Sequence, residues 1–287
     1  MLRKPIILAL VLAFCLPLAA AAQSGETQDD RMAAFDQAIR SGKARPFLEV
    51  NYGQGTPRFE GLGADFATVG MMEIKLGYAD IESEQSGLVS LMETYAFGSS
   101  FSEDLGSSVS DGEVRSEFGR FGGGNRFGYG FQGESLALDL YNQNSLNWTE
   151  VKPVGYDTSA PEAQAVFDRY GSSYRFGQLM EAGVKLRFSR SLALSVGAEG
   201  AVILPRYVFW PWLGSYALYS GVQGAVEYFA GSIIESSPTL GPILYFVLKS
   251  GVSYAYYAGS QKDMNWPFDS ETPLTIASFK VGASFKF

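Results

Sequence analysis

The chain has 287 residues, of which 46% are hydrophobic and 14% aromatic, and its formal net charge is −8 at pH 7. Histidine is absent and cysteine occurs once, which excludes imidazole metal ligands, Ser-His-Asp and Cys-His catalysis, and an internal disulfide. The acidic balance also argues against nucleic acid as a partner, because phosphate binding needs clustered Lys and Arg.

The first residues have the pattern of a signal peptide. Two basic residues precede an apolar run over 6–18, and a run of alanines precedes Gln23. We therefore expect residues 1–22 to be removed on export. Within 23–45 the stretch "DDRMAAFDQAIRSG" has helical spacing and a glycine past its end, which predicts a periplasmic helical segment.

From residue 46 to 287, apolar and polar residues alternate with the period of two that is typical of β-strands. Strands are predicted near 46–53, 67–79, 87–97, 113–132, 135–149, 174–188, 191–203 and 274–287. Short connections then alternate with long ones: the short ones are 80–86, 133–134 and 189–191, and the long ones are 54–66, 98–112, 150–173 and 204–273. Strict alternation of this kind is expected of a membrane barrel with short periplasmic turns.

Two further stretches have helical features. "SAPEAQAVFDRYG" begins with Ser159 and Glu162 in capping-box spacing, which predicts a helix in the long connection 150–173. The apolar insertion 204–257 fits either of two structures. Residues such as Leu218, Val222 and Val226 follow helical spacing, but part of the insertion also alternates as a strand. A helical hairpin would give eight strands in all and two more strands would give ten; we favour eight.

The last strand, "ASFKVGASFKF", places phenylalanines on one face and lysines on the other and ends on an aromatic residue. With the signal peptide and the alternating strands, the chain resembles the outer-membrane β-barrel proteins of Gram-negative bacteria. The resemblance implies an all-β, antiparallel up-and-down transmembrane β-barrel with helical insertions, located in the outer membrane and surrounded by its lipid. It also implies that the barrel-assembly machinery reads a terminal signal, here Phe279, Phe285 and Phe287.

Charged residues recur on the polar faces of the predicted strands. They are Glu49, Glu73, Lys75, Asp139, Lys185, Arg187, Glu199 and Lys280. These side chains could form a charged, selective lumen or a packed polar core in which opposite charges pair. The packed core is favoured, because an eight-stranded barrel is only wide enough to be filled by side chains and buried charges must be paired.

The aromatic cluster of the insertion is a candidate contact with the membrane or a partner. Its residues are Tyr207, Phe209, Trp210 and Trp212. The alternative is an ordinary aromatic girdle at the membrane interface.

The glycine-rich "RFGGGNRFGYG" lacks the Lys-Ser pair of a phosphate loop, and the acids of "SEDLGSSVSDG" lack calcium-loop spacing. We expect no cofactor, no metal site and no catalytic residue.

These observations favour a non-enzymatic barrel that is structural or binds a partner through the insertion 204–257, where the partner is another protein or a second copy. The alternative is a narrow channel or transporter for small apolar molecules or cations. A lipid- or cell-wall-modifying enzyme is disfavoured by the absence of histidine.

Overall fold

The computed structural model describes residues 28–83, 87–154, 161–171 and 173–287. Within these residues, eight antiparallel strands form a closed barrel in which each strand pairs with the next and the last pairs with the first. The strands are β1 (Arg45–Phe59), β2 (Thr68–Ser83), β3 (Leu88–Ser108), β4 (Ser116–Gln132), β5 (Ala137–Pro153), β6 (Arg175–Arg187), β7 (Leu192–Ile203) and β8 (Leu274–Lys286). The helices are α1 (Gln28–Arg40), α2 (Pro161–Tyr170), α3 (Phe209–Ser236) and α4 (Leu240–Ser260). The predicted signal peptide, 1–22, lies outside the described residues.

The antiparallel barrel of eight strands is confirmed, and the ten-stranded alternative is wrong. The insertion forms α3 and α4 because its buried polar residues recur with a helical period. Ser215, Tyr219 and Gln223 are four residues apart and all are buried, whereas a strand would bury every second residue.

Four strands continue beyond their predicted ends. The alternation predicts that β1, β2, β3 and β5 end at 53, 79, 97 and 149, whereas they reach Phe59, Ser83, Ser108 and Pro153. The pairing between β2 and β3 shifts register between Val69 and Gly70. The backbone approaches so closely there that a Cβ atom at Gly70 would lie 2.3 Å from the carbonyl oxygen of Leu105, so this bulge requires glycine.

The two ends of the barrel differ. The carboxyl-terminal ends of β1, β3, β5 and β7 lie at one end, called the long-loop end, and those of β2, β4 and β6 lie at the other, called the short-turn end. Helix α1 packs through Phe35 and Ala38 against Met92 and Phe127, near the short-turn end. Helix α2 packs at the long-loop end.

Helices α3 and α4 form a hairpin against the outside of the barrel. Trp212, near the start of α3, packs with Phe176 at the long-loop end, and Ala230 and Ile234, near its end, pack with Leu88 at the short-turn end. Helix α4 returns along the wall in contact with β4, β5, β6 and β7. None of the helices in the described part of the chain is long and apolar enough to cross a membrane by itself.

Candidate functional site

Ten charged side chains are packed together inside the barrel, and all are buried. Among the described residues, this lumen network contains five carboxylates and five cations, so its formal charge is zero. The carboxylates belong to Glu49, Glu73, Glu93, Glu181 and Glu199, and the cations to Lys75, Arg120, Arg126, Lys185 and Lys280.

The half of the network nearer the short-turn end is centred on Arg126. Its Nη1 atom lies 2.9 Å from Glu49 Oε2 and 2.6 Å from Glu93 Oε2. Its guanidinium group lies over the ring of Tyr141, with Cζ 4.3 Å from the ring centroid. Lys185 adds a second cation 2.6 Å from Glu93 Oε1. Each charge in this half therefore has a partner of opposite sign, and Arg126 also packs on an aromatic ring.

The other half is centred on Lys280. Its Nζ atom lies 2.8 Å from Glu73 and from Glu181, and 2.7 Å from Glu199. Arg120 Nη1 donates to Glu199 Oε1 at 2.6 Å. Lys75 joins the two halves, because its Nζ atom donates to Gln143 Oε1 at 3.0 Å and to Glu181 Oε2 at 3.2 Å.

Strand register brings these groups together. Glu49 is opposite Lys75 in the pairing of β1 with β2, and Arg126 is opposite Glu93 in the pairing of β3 with β4. Glu181 is opposite Glu199, a like-charged pair that would be destabilising alone. Lys280 enters from β8 and binds both carboxylates, which compensates that repulsion.

The network fills the lumen. Arg126, Tyr141, Lys75, Lys185 and Lys280 are among the largest fully buried side chains of the described residues. A paired and desolvated charge cluster of this kind offers an ion no free charge to bind, and removal of one partner leaves another charge buried and uncompensated.

Each end of the lumen is closed in a different way. At the short-turn end, the Arg187 guanidinium donates to both carboxylate oxygens of Asp139, at 2.6 and 3.0 Å. At the long-loop end, α2 packs its Ala163, Val166 and Tyr170 side chains onto an apolar layer inside the barrel. That layer includes Met71, Phe101, Phe118, Val151, Ala201, Ile203 and Ile276.

Tyr170 links α2 to the start of β8. The backbone N–H of Leu274 donates to the Tyr170 hydroxyl oxygen at 2.9 Å. Burial raises the pKa of Tyr170 above its ordinary value, so the phenol stays neutral within this apolar plug.

The structure places all eight predicted lumen residues on the inner face of the barrel. Seven are fully buried in ion pairs, and the eighth, Arg187, is partly exposed at the short-turn end. Sequence reasoning missed Glu93, Arg120, Arg126 and Glu181, which make equally short contacts.

The aromatic residues of the insertion divide into two groups. Tyr207, Phe209 and Trp210 are exposed at the start of α3. Trp212, the fourth residue of the predicted membrane or partner contact, is instead buried between the hairpin and the barrel wall. Its ring meets that of Phe176 edge to face at 5.3 Å and stacks on Tyr216 at 5.4 Å.

The three residues of the predicted assembly signal lie on or beyond β8. Phe279 and Phe285 are exposed on its outer face, and Phe287 follows the strand and is exposed. The backbone N–H of Phe287 donates to the carbonyl oxygen of Pro46 at 2.9 Å, which holds the terminus beside β1.

A polar seam lies between the hairpin and the outer wall of the barrel. The Tyr219 hydroxyl donates to Asn144 Oδ1 at 2.6 Å, and Asn142 Nδ2 donates to Ser250 Oγ at 2.8 Å. Between the two helices, Lys249 Nζ lies 2.8 Å from Glu227 Oε2. The opposite side of the hairpin is apolar, with Leu213, Phe229, Ile243, Leu244, Val247 and Tyr254 exposed. The hairpin thus buries polar groups and exposes apolar ones.

Metal chemistry has no evident site in the part of the chain that the structure describes, where no group of three or more His, Cys, Asp or Glu side chains is placed to hold an ion.

No family model matches the chain, and no curated protein matches it. Among solved structures, Neisserial surface protein A (NspA) is similar with a TM-score of 0.39 and 10% identity over 84% of this chain and 97% of that one. Ail, the attachment invasion locus protein of Yersinia pestis, is similar with a TM-score of 0.34 and 8% identity over 85% of this chain and 99% of that one. The outer membrane enzyme PagL is similar with a TM-score of 0.38 and 10% identity over 83% of this chain and 99% of that one. These similarities are too distant to carry an argument about function, so the class of this protein rests on its own closed barrel of eight strands.

Proposed function

We propose that this chain is a non-enzymatic, non-conducting β-barrel of the Gram-negative outer membrane, with a structural or partner-binding role. The observation that carries the proposal is the buried, charge-balanced network that fills the lumen. A channel needs a path along which ions or solutes exchange contacts, whereas here the charged groups are fixed by one another.

The outer face of the barrel supports a membrane location. On β1, β2, β7 and β8 the outward side chains form an exposed apolar band, as expected for strands in contact with lipid. Its members include Tyr52, Met72, Ile74, Leu76, Tyr78, Leu192, Leu194, Val196, Phe279, Val281 and Phe285. In water, a patch of this extent would be an aggregation hazard.

The α3–α4 hairpin is the element proposed to contact a partner. Because the wall covers its polar side, the hairpin presents an apolar surface to the bilayer, and Tyr207, Phe209 and Trp210 extend that surface at the long-loop end. Aromatic rings are favoured both at the membrane interface and in protein contacts. The partner is therefore a protein with an apolar transmembrane surface, or a second copy of this chain.

Planar-bilayer conductance tests the proposal. Purified full-length protein should insert without discrete current steps, and flotation of the same preparation in vesicles shows that it has been incorporated. A variant in which a short Gly-Ser linker replaces Pro161–Tyr170 removes the α2 plug but keeps the lumen network. This variant should also stay silent. Current steps in the unmodified protein would refute a closed barrel, and steps in the variant alone would show that the plug, and not the network, closes it.

A further inference from the structure

A cavity of about 440 Å³ lies between α3 and the outer wall of the barrel. Tyr216, Tyr219, Ser220 and Gln223 line it from α3, and Lys249 lines it from α4. Its volume falls within the range of ligand-binding sites, roughly 300–1,000 Å³. Ser220 is exposed at its rim, so the cavity opens to the outside of the barrel.

The wall leaves space for this cavity through its small residues. Thr94 and Gly123 line it from the outer faces of β3 and β4, where larger side chains would occupy the volume. Leu146 and Met180, on β5 and β6, add apolar surface. The cavity therefore combines apolar and polar groups in its lining, a combination suited to an amphiphile.

Two of the polar groups in the lining lack partners. Within the described residues, Gln223 Oε1 and Asn125 Oδ1 are buried and accept no hydrogen bond. The Gln223 amide is held in place by its nitrogen, which donates to Ser253 Oγ at 2.9 Å and to the Tyr219 hydroxyl at 3.1 Å. A buried acceptor without a donor costs about 1–3 kcal/mol, so both oxygens favour a ligand with O–H or N–H groups.

The charge of the site is already compensated. Lys249 is paired with Glu227 at 2.8 Å, and its ammonium group also donates to the Tyr245 hydroxyl at 3.2 Å. An anionic headgroup would have to compete with this carboxylate. The free groups are both neutral acceptors, so the ligand that fits is neutral.

We propose that this cavity binds one neutral amphiphile from the bilayer, whose hydroxyl or amide donors reach Gln223 and Asn125 while its apolar body lies along the small-residue wall. Monoacylglycerols are simple members of this class. The site rests on the proposed function, because access from the bilayer requires the hairpin to face lipid.

Native mass spectrometry of the full chain in a mild detergent tests the site, with two matched probes. Octanoylglycerol carries two hydroxyl donors, whereas methyl octanoate has the same acyl chain and no donor. The protein should retain one octanoylglycerol, and at least tenfold less methyl octanoate. Gln223→Leu and Asn125→Leu should each weaken retention about tenfold, since each removes one acceptor. Thr94→Phe should abolish retention by filling the cavity.

Asn142→Leu is the matched control, because Asn142 belongs to the same polar seam but does not line the cavity. Its retention should equal that of the unmodified chain. Equal retention of the two probes, retention by Thr94→Phe, or no retention of either probe by the unmodified chain would overturn the site. Migration on an unboiled gel shows whether each variant keeps its barrel. A folded, non-conducting barrel without retention overturns the site alone, whereas a conducting barrel overturns the proposed function.

Discussion

Lys280→Met tests whether the lumen network is desolvated. Lys280 contacts three carboxylates at 2.7–2.8 Å, and its removal leaves the network with five acids and four cations. Removing one partner of a buried ion pair costs about 3–5 kcal/mol, because the remaining charge is uncompensated in a medium of low dielectric constant. We expect the free energy of unfolding to fall by about that amount.

Reversible urea unfolding in lipid vesicles, followed by tryptophan fluorescence and by migration on unboiled gels, measures the change. Lys262→Met is the matched control, because Lys262 is exposed and lies 3.6 Å from its partner Glu60. An exposed pair is worth at most about 1 kcal/mol. The double variant Lys280→Met, Glu199→Gln restores neutrality and should recover at least about 1 kcal/mol of the loss.

A loss below about 1 kcal/mol for Lys280→Met would contradict the reasoning. It would mean that water solvates the carboxylates of Glu73, Glu181 and Glu199, and that the lumen is a hydrated space. The argument for a non-conducting barrel would then fail as well, because it depends on the same desolvated packing.

Three further outcomes are expected. Gly70→Ala should destabilise the barrel by about 1–3 kcal/mol in urea unfolding, because its Cβ would lie 2.3 Å from the Leu105 carbonyl oxygen; an unchanged midpoint would show that the bulge relaxes freely. Trp212→Ala should lower the free energy of unfolding by about 3–5 kcal/mol in the same assay, because this ring is buried. Trp210→Ala should lower it by less than about 0.5 kcal/mol, because this ring is 77% exposed. Similar losses for the two variants would argue against the packing of the hairpin on the wall. Deletion of Phe287 should slow the appearance of the heat-modifiable form in cells, with little effect on the stability of barrel that has assembled; normal assembly would show that the terminal aromatic is not read.

The barrel was predictable from sequence because its outer and inner faces impose opposite demands on neighbouring residues. In β2, Ile74 and Leu76 face outward while Glu73 and Lys75 face inward, and this contrast marks the strand. The contrast disappears beyond the apolar band, so the outer ends of β1 and β3 could not be found. The small and polar residues near Ser108 do not show the alternation of apolar and polar side chains that marks a strand.

Part of the lumen network was hidden for a related reason. Glu93 shares the inner face of β3 with Tyr95 and Phe97, and Glu181 shares that of β6 with Leu179, so these inner faces are not uniformly polar. A packed lumen needs aromatic and aliphatic filling between its ion pairs. The apolar side chains that pack between the ion pairs therefore make the charged residues of the lumen harder to recognise in the sequence.

The position of the hairpin on the wall could not be predicted from the sequence of β5 alone or from that of α3 alone. On the outer face of β5, Asn142 and Asn144 interrupt a row of leucines that would otherwise suit lipid. In α3, Tyr219 and Gln223 are one helical turn apart and would suit water. The structure pairs the two anomalies, since Tyr219 donates to Asn144 and Gln223 lies in the same seam. Each polar set is tolerable in a membrane only when it covers the other. In the proposed membrane location, the lipid boundary would therefore pass around the hairpin, so that the hairpin and the wall beneath it form one structural unit.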